Sequence, residues 1–377
     1  MNISTFASDK KYFSSLGEGE MKKYIFWTIF VFSMGFFVPF LIFLLANNFS
    51  SPSGDFYVSP KKEINLAKKE EQEIKIPVAS VAESVGKKQA SNKNIVSLLF
   101  VGDIMFDRGV KNSVVKNGDG DYAFLFKNAD FIKDADISFG NLEGPISDKG
   151  KDLRNLYSFR FEPFAIKALK NNGFDVLSVA NNHIGDWGKV AFEDTISRLD
   201  AGGIITIGGG QNLKDAGKVK IIEKNGFRIG FLSFSDAGPD WLGATQDSAG
   251  ILITDDENFS SLIREAAPQV DILVVSLHFG EEYQGNANDR QKKLAHLAID
   301  SGAKIVVGHH PHVVQEVEQY KNGVIAYSLG NFIFDQNFSK ETMQGLALEI
   351  VLDGAEIISV KQNKIKINEF FQPQLAD

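Results

Sequence analysis

Residues 305–312 read Ile-Val-Val-Gly-His-His-Pro-His: an apolar run of strand length, a glycine, then three imidazoles in four positions. The run reads as a buried strand whose C-terminal end carries chemistry. The same design recurs along the chain. Ile95–Val101 leads into Gly102, Asp103 and then Asp107 and Arg108; Ile137–Phe139 leads into Gly140, Asn141, Leu142 and Glu143. Val176–Val179 is followed by Asn181, Asn182, His183 and Asp186, and Ile272–Leu277 by His278, Gly280, Glu282 and Tyr283. Val324–Leu329 runs into Gly330 and Asn331. In α/β folds, sites are built at the C-terminal ends of strands. Six runs that end in carboxylate, amide or imidazole groups therefore predict an α/β domain with one shared site.

Between these strands, with Ile204–Ile207 as a further one, lie helical patterns. One opens at Pro163 and closes at Gly173; others run from Lys189 to Ala201 and from Asn288 to Ser301. Lys218–Glu223 and Phe227–Phe234 read as a hairpin around an Asn-Gly turn, and Gly345–Asn368 as two strands about Asp353 and Gly354.

Five of the six histidines, His183, His278, His309, His310 and His312, sit at the strand ends. The sixth, His296, lies on the 288–301 helix and is expected to face solvent. Five imidazoles beside Asp103, Glu143 and Asn182 point to a divalent metal, Zn, Mn or Fe, all served by neutral imidazole and carboxylate. Pro311 restricts the backbone between His310 and His312, which suits a two-point ligand and leaves one of the three clustered imidazoles for a supporting role. A bound ion implies metal-assisted hydrolysis. His183 is then a general acid or base oriented by Asp186. Arg108 and Glu282 are candidates for substrate contact or, equally, a structural ion pair. Asn331 and Asp335 either line the site or cap turns.

Composition narrows the alternatives. The 377 residues contain no cysteine, which excludes disulfides, Cys-ligated zinc, Fe–S clusters and thiol nucleophiles. A net charge of −8 leaves no basic excess for general nucleic-acid binding. Residues 1–95 hold 12 Lys+Arg against 9 Asp+Glu, so the acidity lies in the rest.

Tyr24–Ala46 is a run of 23 residues without a charge, long enough to cross a bilayer as a helix. Lys10, Lys11, Lys22 and Lys23 precede it and the next lysine is Lys61, a bias that places the N-terminus in the cytoplasm. The expected organisation is a cytoplasmic segment 1–23, an anchor 24–46, a flexible stalk 47–94 and an extracytoplasmic domain 95–377. A cleaved signal peptide is the rival reading of the run. The stalk, rich in Ser, Lys and Glu, has a mean reach of roughly 40 Å as a coil.

The pieces GDIMFDR, GNLEGPI, ANNHIGDWG, LHFGEEY, GHHPHVVQ and YSLGNFIFDQ, in that order, resemble the CapA family of capsule and poly-γ-glutamate synthesis proteins. The resemblance covers roughly Val96 to Gln336 and implies a calcineurin-like metallophosphatase fold, two packed sheets flanked by helices. It implies Asp103 as an early carboxylate ligand, Asn182 as a ligand with His183 near the leaving group, and His278, His310 and His312 as imidazole ligands. The chain departs from the phosphatase pattern at Met105, where a histidine is usual, and at Gly140–Glu143, where a second Gly-Asp element is usual. Two functions follow. One is a membrane-anchored metal-dependent hydrolase acting on an anionic polymer such as poly-γ-glutamate, or on its linkage. The other is a non-catalytic accessory subunit of a membrane polymer synthase or exporter.

Overall fold

A computed structural model describes residues 94–376. The expected cytoplasmic segment, the Tyr24–Ala46 anchor and residues 47–93 of the stalk lie outside the described residues. Among the described residues no helix is long and apolar enough to cross a membrane.

In chain order the main strands are β1 (Ile95–Ile104), β2 (Ile137–Leu142), β3 (Val176–Ser178), β4 (Ile205–Ile207), β5 (Lys220–Lys224), β6 (Phe227–Ser235), β7 (Ile272–His278) and β8 (Ile305–His309). Then come β9 (Val317–Tyr320), β10 (Gly323–Ala326), β11 (Asn331–Ile333), β12 (Gln344–Asp353), β13 (Glu356–Ile367) and β14 (Pro373–Leu375). They form two sheets. The first runs β14-β13-β12-β1-β2-β3-β4, with β11 also paired to β1; the second runs β9-β10-β8-β7-β6-β5. Each has a parallel centre, β1 to β4 in one and β6, β7, β8 and β10 in the other.

The strands read as nearly continuous apolar runs because both faces are buried. Side chains alternate across a strand, so Val96, Leu98 and Phe100 of β1 meet Phe231, Val274, Ile305 and Val307 of the second sheet. Phe139 and Phe231 stack across this gap with centroids 6.5 Å apart. Leu99 and Val101 point the other way, onto helices α1 (Arg108–Asn117), α2 (Ala165–Asn171) and α3 (Gly188–Ala201). Leu273, Val275 and Val306 pack outward against α4 (Asp256–Ala266) and α5 (Asp289–Asp300). The result is a four-layer αββα arrangement.

Local expectations need four corrections. The last central strand stops at Ala326 rather than Leu329, because the chain turns there and Asn331–Ile333 crosses to pair with β1 in the other sheet. Helix α1 is missed by pattern, since its Gly109 and two adjacent valines are poor helix signals; its cap, Asp107, accepts from the Arg108 N–H. Helix α4 is missed despite a legible cap at Asp255, which accepts from the Asn258 N–H. His296 does not simply face solvent: its ring stacks on Tyr320 at 3.8 Å and its Nε2 lies 3.1 Å from the Glu318 carboxylate, because β9 folds against that flank of α5.

Two glycines fix how closely the crossing segment 327–330 passes the ends of β1 and β8. A Cβ on Gly102 would lie 1.9 Å from the Gly330 carbonyl oxygen, and one on Gly308 1.9 Å from that of Tyr327. The obstacle is backbone in both cases. Gly308→Ala is expected to destabilise the domain by about 3 kcal/mol, the upper range for overpacking, read as a lowered urea midpoint at unchanged slope; an unchanged midpoint would contradict this packing.

Asp194 of α3 ties the helix to the strand-end loop, accepting from Ser147 Oγ (2.6 Å), Lys149 Nζ (2.7 Å) and Arg198 Nε (2.6 Å). Burial works to raise its pKa, but these donors prevail and hold it at about 2. A depressed carboxyl stabilises the fold above its unfolded pKa and loses that contribution as pH falls through the folded one. Asp194→Asn should therefore cost roughly 2 kcal/mol near neutrality, and the gap to the parent should close between about pH 4 and pH 2 in acid denaturation.

Candidate metal centre

The two parallel centres deliver their C-terminal ends to one place. In the first sheet Asp103 is level with Asn141 on one side and Asn331 on the other. In the second, His278 is level with His309. Both sets are buried. Beyond the strand ends, short loops supply Glu143, the 181–186 segment, Glu282, His310 and His312.

Asp103 is central. Its Oδ1 accepts from Asn141 Nδ2 at 2.9 Å and lies 3.2 Å from His309 Nδ1; its Oδ2 is 3.3 Å from His312 Nδ1 and from the His310 N–H. The His278 and His310 rings are 4.8 Å apart, and His310 and His312 6.1 Å. Two donor groups result, Asp103–Glu143–His278 and Glu282–His310–His312, each with one ligand atom per residue within 4.8 Å of the others.

Backbone strain marks the same spot. Arg108, Tyr283, His310 and His312 all have positive φ, from +50° to +98°. Such residues cost of order 1–3 kcal/mol each and persist where the surroundings over-determine them.

Amide side chains hold the ligand candidates. Asn331 Oδ1 takes the Nδ1 side of His312 at 3.0 Å, which leaves Nε2 3.5 Å from Glu143 Oε1. Asn182 Oδ1 meets His278 Nε2 at 2.8 Å, and Asn141 Nδ2 lies 3.4 Å from Nδ1 of the same ring. Asn181 closes the loop, donating to Asn141 Oδ1 and the Leu142 carbonyl while accepting from the His183 and Ile184 N–H groups.

The electrostatics are those of a cluster short of positive charge. Burial pushes Glu143 well above the usual carboxylate range, with Asp103, Glu282 and Asp186 adding to it. Burial also acts to raise Asp103, but His309 and His312 hold it well below. Burial lowers His278 and brings His310 down to about 4; it opposes protonation of His312 too, yet Glu143 and Asp103 raise that ring to about 9. Glu143 Oε1 and His310 Nδ1 are buried without a hydrogen-bond partner, as is His309 Nε2. Orphaned donor atoms of this kind at a carboxylate–imidazole cluster fit a divalent cation.

Beside the cluster, His183 Nδ1 lies 2.8 Å from Asp186 Oδ2. Asp186 is buried and also accepts from Asn155 Nδ2 and the Phe159 N–H, both at 2.9 Å. The His183 ring packs on Phe159 at 4.3 Å, and the Arg108 guanidinium covers that phenylalanine at 4.7 Å. Arg108 is paired with Asp335, yet about a third of its side chain (34%) stays exposed.

The sequence-derived set is thus brought together, with adjustments of position. Glu282, expected at the substrate, stands in a donor group with His310 and His312. Asn331, expected as a substrate contact, is fully buried behind His312 with both Nδ2 hydrogens taken by Gln336 and the Thr342 carbonyl, so it cannot reach a ligand in the cavity. Asn141 and Asn181 were missed as site residues, although both stand at strand ends beside residues that were chosen. His309 emerges as a buried neighbour of Asp103.

The family model for bacterial capsule synthesis protein PGA_cap matches residues 97–336. The chain is 37% identical over 257 residues to the PGA biosynthesis protein CapA of Bacillus subtilis, covering 67% of each protein. It is 37% identical over 254 residues to the capsule biosynthesis protein CapA of Bacillus anthracis, covering 65% of this chain and 61% of that one. It is also 25% identical over 289 residues to a probable polyglutamine synthesis accessory protein of Mycobacterium tuberculosis, covering 65% of this chain and 76% of that one. Among solved structures, a phosphatase from Mycoplasma pneumoniae aligns with a TM-score of 0.47 at 14% identity, over 72% of this chain and 94% of that one. With most of the described domain matched, strand ends included, the chain belongs to the bacterial capsule synthesis protein family PGA_cap.

Proposed function

We propose that this protein is a metal-dependent hydrolase of capsule or poly-γ-glutamate synthesis, acting on an anionic polymer or its linkage. The observation that carries the reading is the convergence of two carboxylate–imidazole donor groups beside a His183–Asp186 pair. Asp103, Glu143 and His278 on one side, and Glu282, His310 and His312 on the other, would hold divalent metal, Zn, Mn or Fe. When bound, such an ion supplies Lewis acidity and an activated water.

The chain's own residues do the rest. Asn182 and Asn331 set the ring orientations of His278 and His312. His183 exchanges a proton with the reacting group through Nε2, while Asp186 holds Nδ1. Arg108, backed by Asp335 and lying on Phe159, offers its free guanidinium edge to a carboxylate or phosphate.

The second reading, a non-catalytic accessory subunit working with membrane synthase or export components, draws support from the accessory role in the name of the mycobacterial relative and from the amide contacts at both nitrogens of His278. Incubating the metal-loaded chain with poly-γ-glutamate and with phosphoester substrates separates the two. Hydrolysis that is lost on chelation and restored by one metal supports the enzyme; a metal-bound chain with no turnover supports the accessory role.

The run Tyr24–Ala46 supports a single-pass anchor with its N-terminus in the cytoplasm and residues 95–377 outside. Protease added to spheroplasts should then release the large domain; digestion only after lysis would overturn this placement.

A further inference from the structure

The mouth of the site carries large apolar side chains that the proposed chemistry does not use. Leu156 is 90% and Phe338 64% exposed, and Leu153, Tyr157 and Trp241 are each about half exposed. They belong to one rim. Trp241 lies against Gly185, where an added Cβ would come within 2.9 Å of its ring, and Gly185 adjoins the His183–Asp186 pair. Asn155, next to Leu156, donates to Asp186. Tyr283, whose ring lies 6.1 Å from that of His312, packs edge-on against Phe338 at 5.1 Å.

The rim is held, not loose. The Lys151 N–H donates to the Trp187 carbonyl at 3.0 Å and the Leu153 N–H to that of Asp186 at 3.0 Å. Gln336 Nε2 donates to the Tyr283 hydroxyl at 3.1 Å. The 149–160 segment, which carries Leu153, Leu156 and Tyr157, runs against the acidity of its domain, whereas exposed acids, Asp240 and Glu281, flank Trp241 and Tyr283. Residues 96–377 hold 28 Lys+Arg against 39 Asp+Glu, but 149–160 hold four basic residues and one acidic. Lys149 is tied to Asp194, while Lys151 and Arg154 are exposed beside the leucines.

We propose that this rim docks on a bilayer surface rich in anionic lipid, with Leu156 and Tyr157 at headgroup level and the site opening toward the membrane. Leucine with tryptophan, tyrosine and phenylalanine, interleaved with lysine and arginine, is the composition of interfacial segments. Basic residues add attraction to anionic headgroups. An apolar tip of separate protruding side chains suits a lipid interface better than a fully solvated polyanion, which the charges alone would also attract. Docking is independent of whether the site hydrolyses anything.

The absence of cysteine makes the test clean, because a single introduced thiol takes the only label. Leu156→Cys carries a nitroxide at the rim. Ile358→Cys is the control: its neighbour Ile357 is level with Leu352, which is level with Val96 at the start of β1. That places it about 23 Å along the sheet from Asp103. The full-length chain is reconstituted in phosphatidylglycerol-containing vesicles and in purely zwitterionic ones, and collision rates with oxygen and with a water-soluble nickel chelate are compared. The label at 156 should read roughly 5–10 Å inside the interface in anionic vesicles, become shallower in zwitterionic ones, and leave the label at 358 in water. Two equally hydrated labels, or two equally immersed ones, overturn the proposal. So does shielding of the 156 label by added poly-γ-glutamate without lipid, which assigns the rim to polymer. Metal content measured on the same samples separates a failed rim from a damaged site.

Discussion

Asp103→Asn is expected to yield a folded chain that no longer retains metal. The substitution keeps the volume and an acceptor for the His310 N–H, but removes the charge that lies between His309 and His312. Loss of supporting partners alone typically costs 10–100-fold in metal affinity, so removal of a central carboxylate should cost more than about 100-fold. Elemental analysis after dialysis, with circular dichroism as the check on folding, measures it. Stoichiometric metal in the folded variant would contradict Asp103 as a ligand.

His183→Ala should leave metal content unchanged and lower turnover by roughly 10²–10⁴-fold, the usual worth of a positioned proton donor or acceptor. The ring touches Asp186 and Phe159 but belongs to neither donor group, so metal binding and proton transfer separate cleanly at this residue. Asp186→Asn should lose less than His183→Ala. An active-site metal with unaltered rates in His183→Ala would remove the proton-transfer role from this residue.

The sequence was most informative where chemistry interrupts a strand pattern. Polar residues directly after apolar runs were visible as a set, and strand direction alone places Asp103, Asn141, His278 and His309 at one edge. Relations between distant segments were not visible. Arg108 and Asp335 are far apart in the chain, and nothing local announces their pairing. Asn331 looked available because asparagine favours turns; its burial follows from the crossing of β11 to β1, a tertiary event with no periodic signature. Glu282 could be read as a substrate contact only while its distance from His310 and His312 was unknown. His296 has the spacing of a flanking helical position, and it is the fold of β9 that covers it.

One metal centre is expected where the two sheets end. X-ray absorption on the metal-loaded full-length chain tests it most directly, with the His310→Ala chain as comparison. Nitrogen and oxygen ligands only are expected, at roughly 2.0–2.2 Å, with imidazole scattering that weakens in His310→Ala. A chain that takes up no metal when offered Zn, Mn and Fe, or an imidazole signal indifferent to His310, would contradict it.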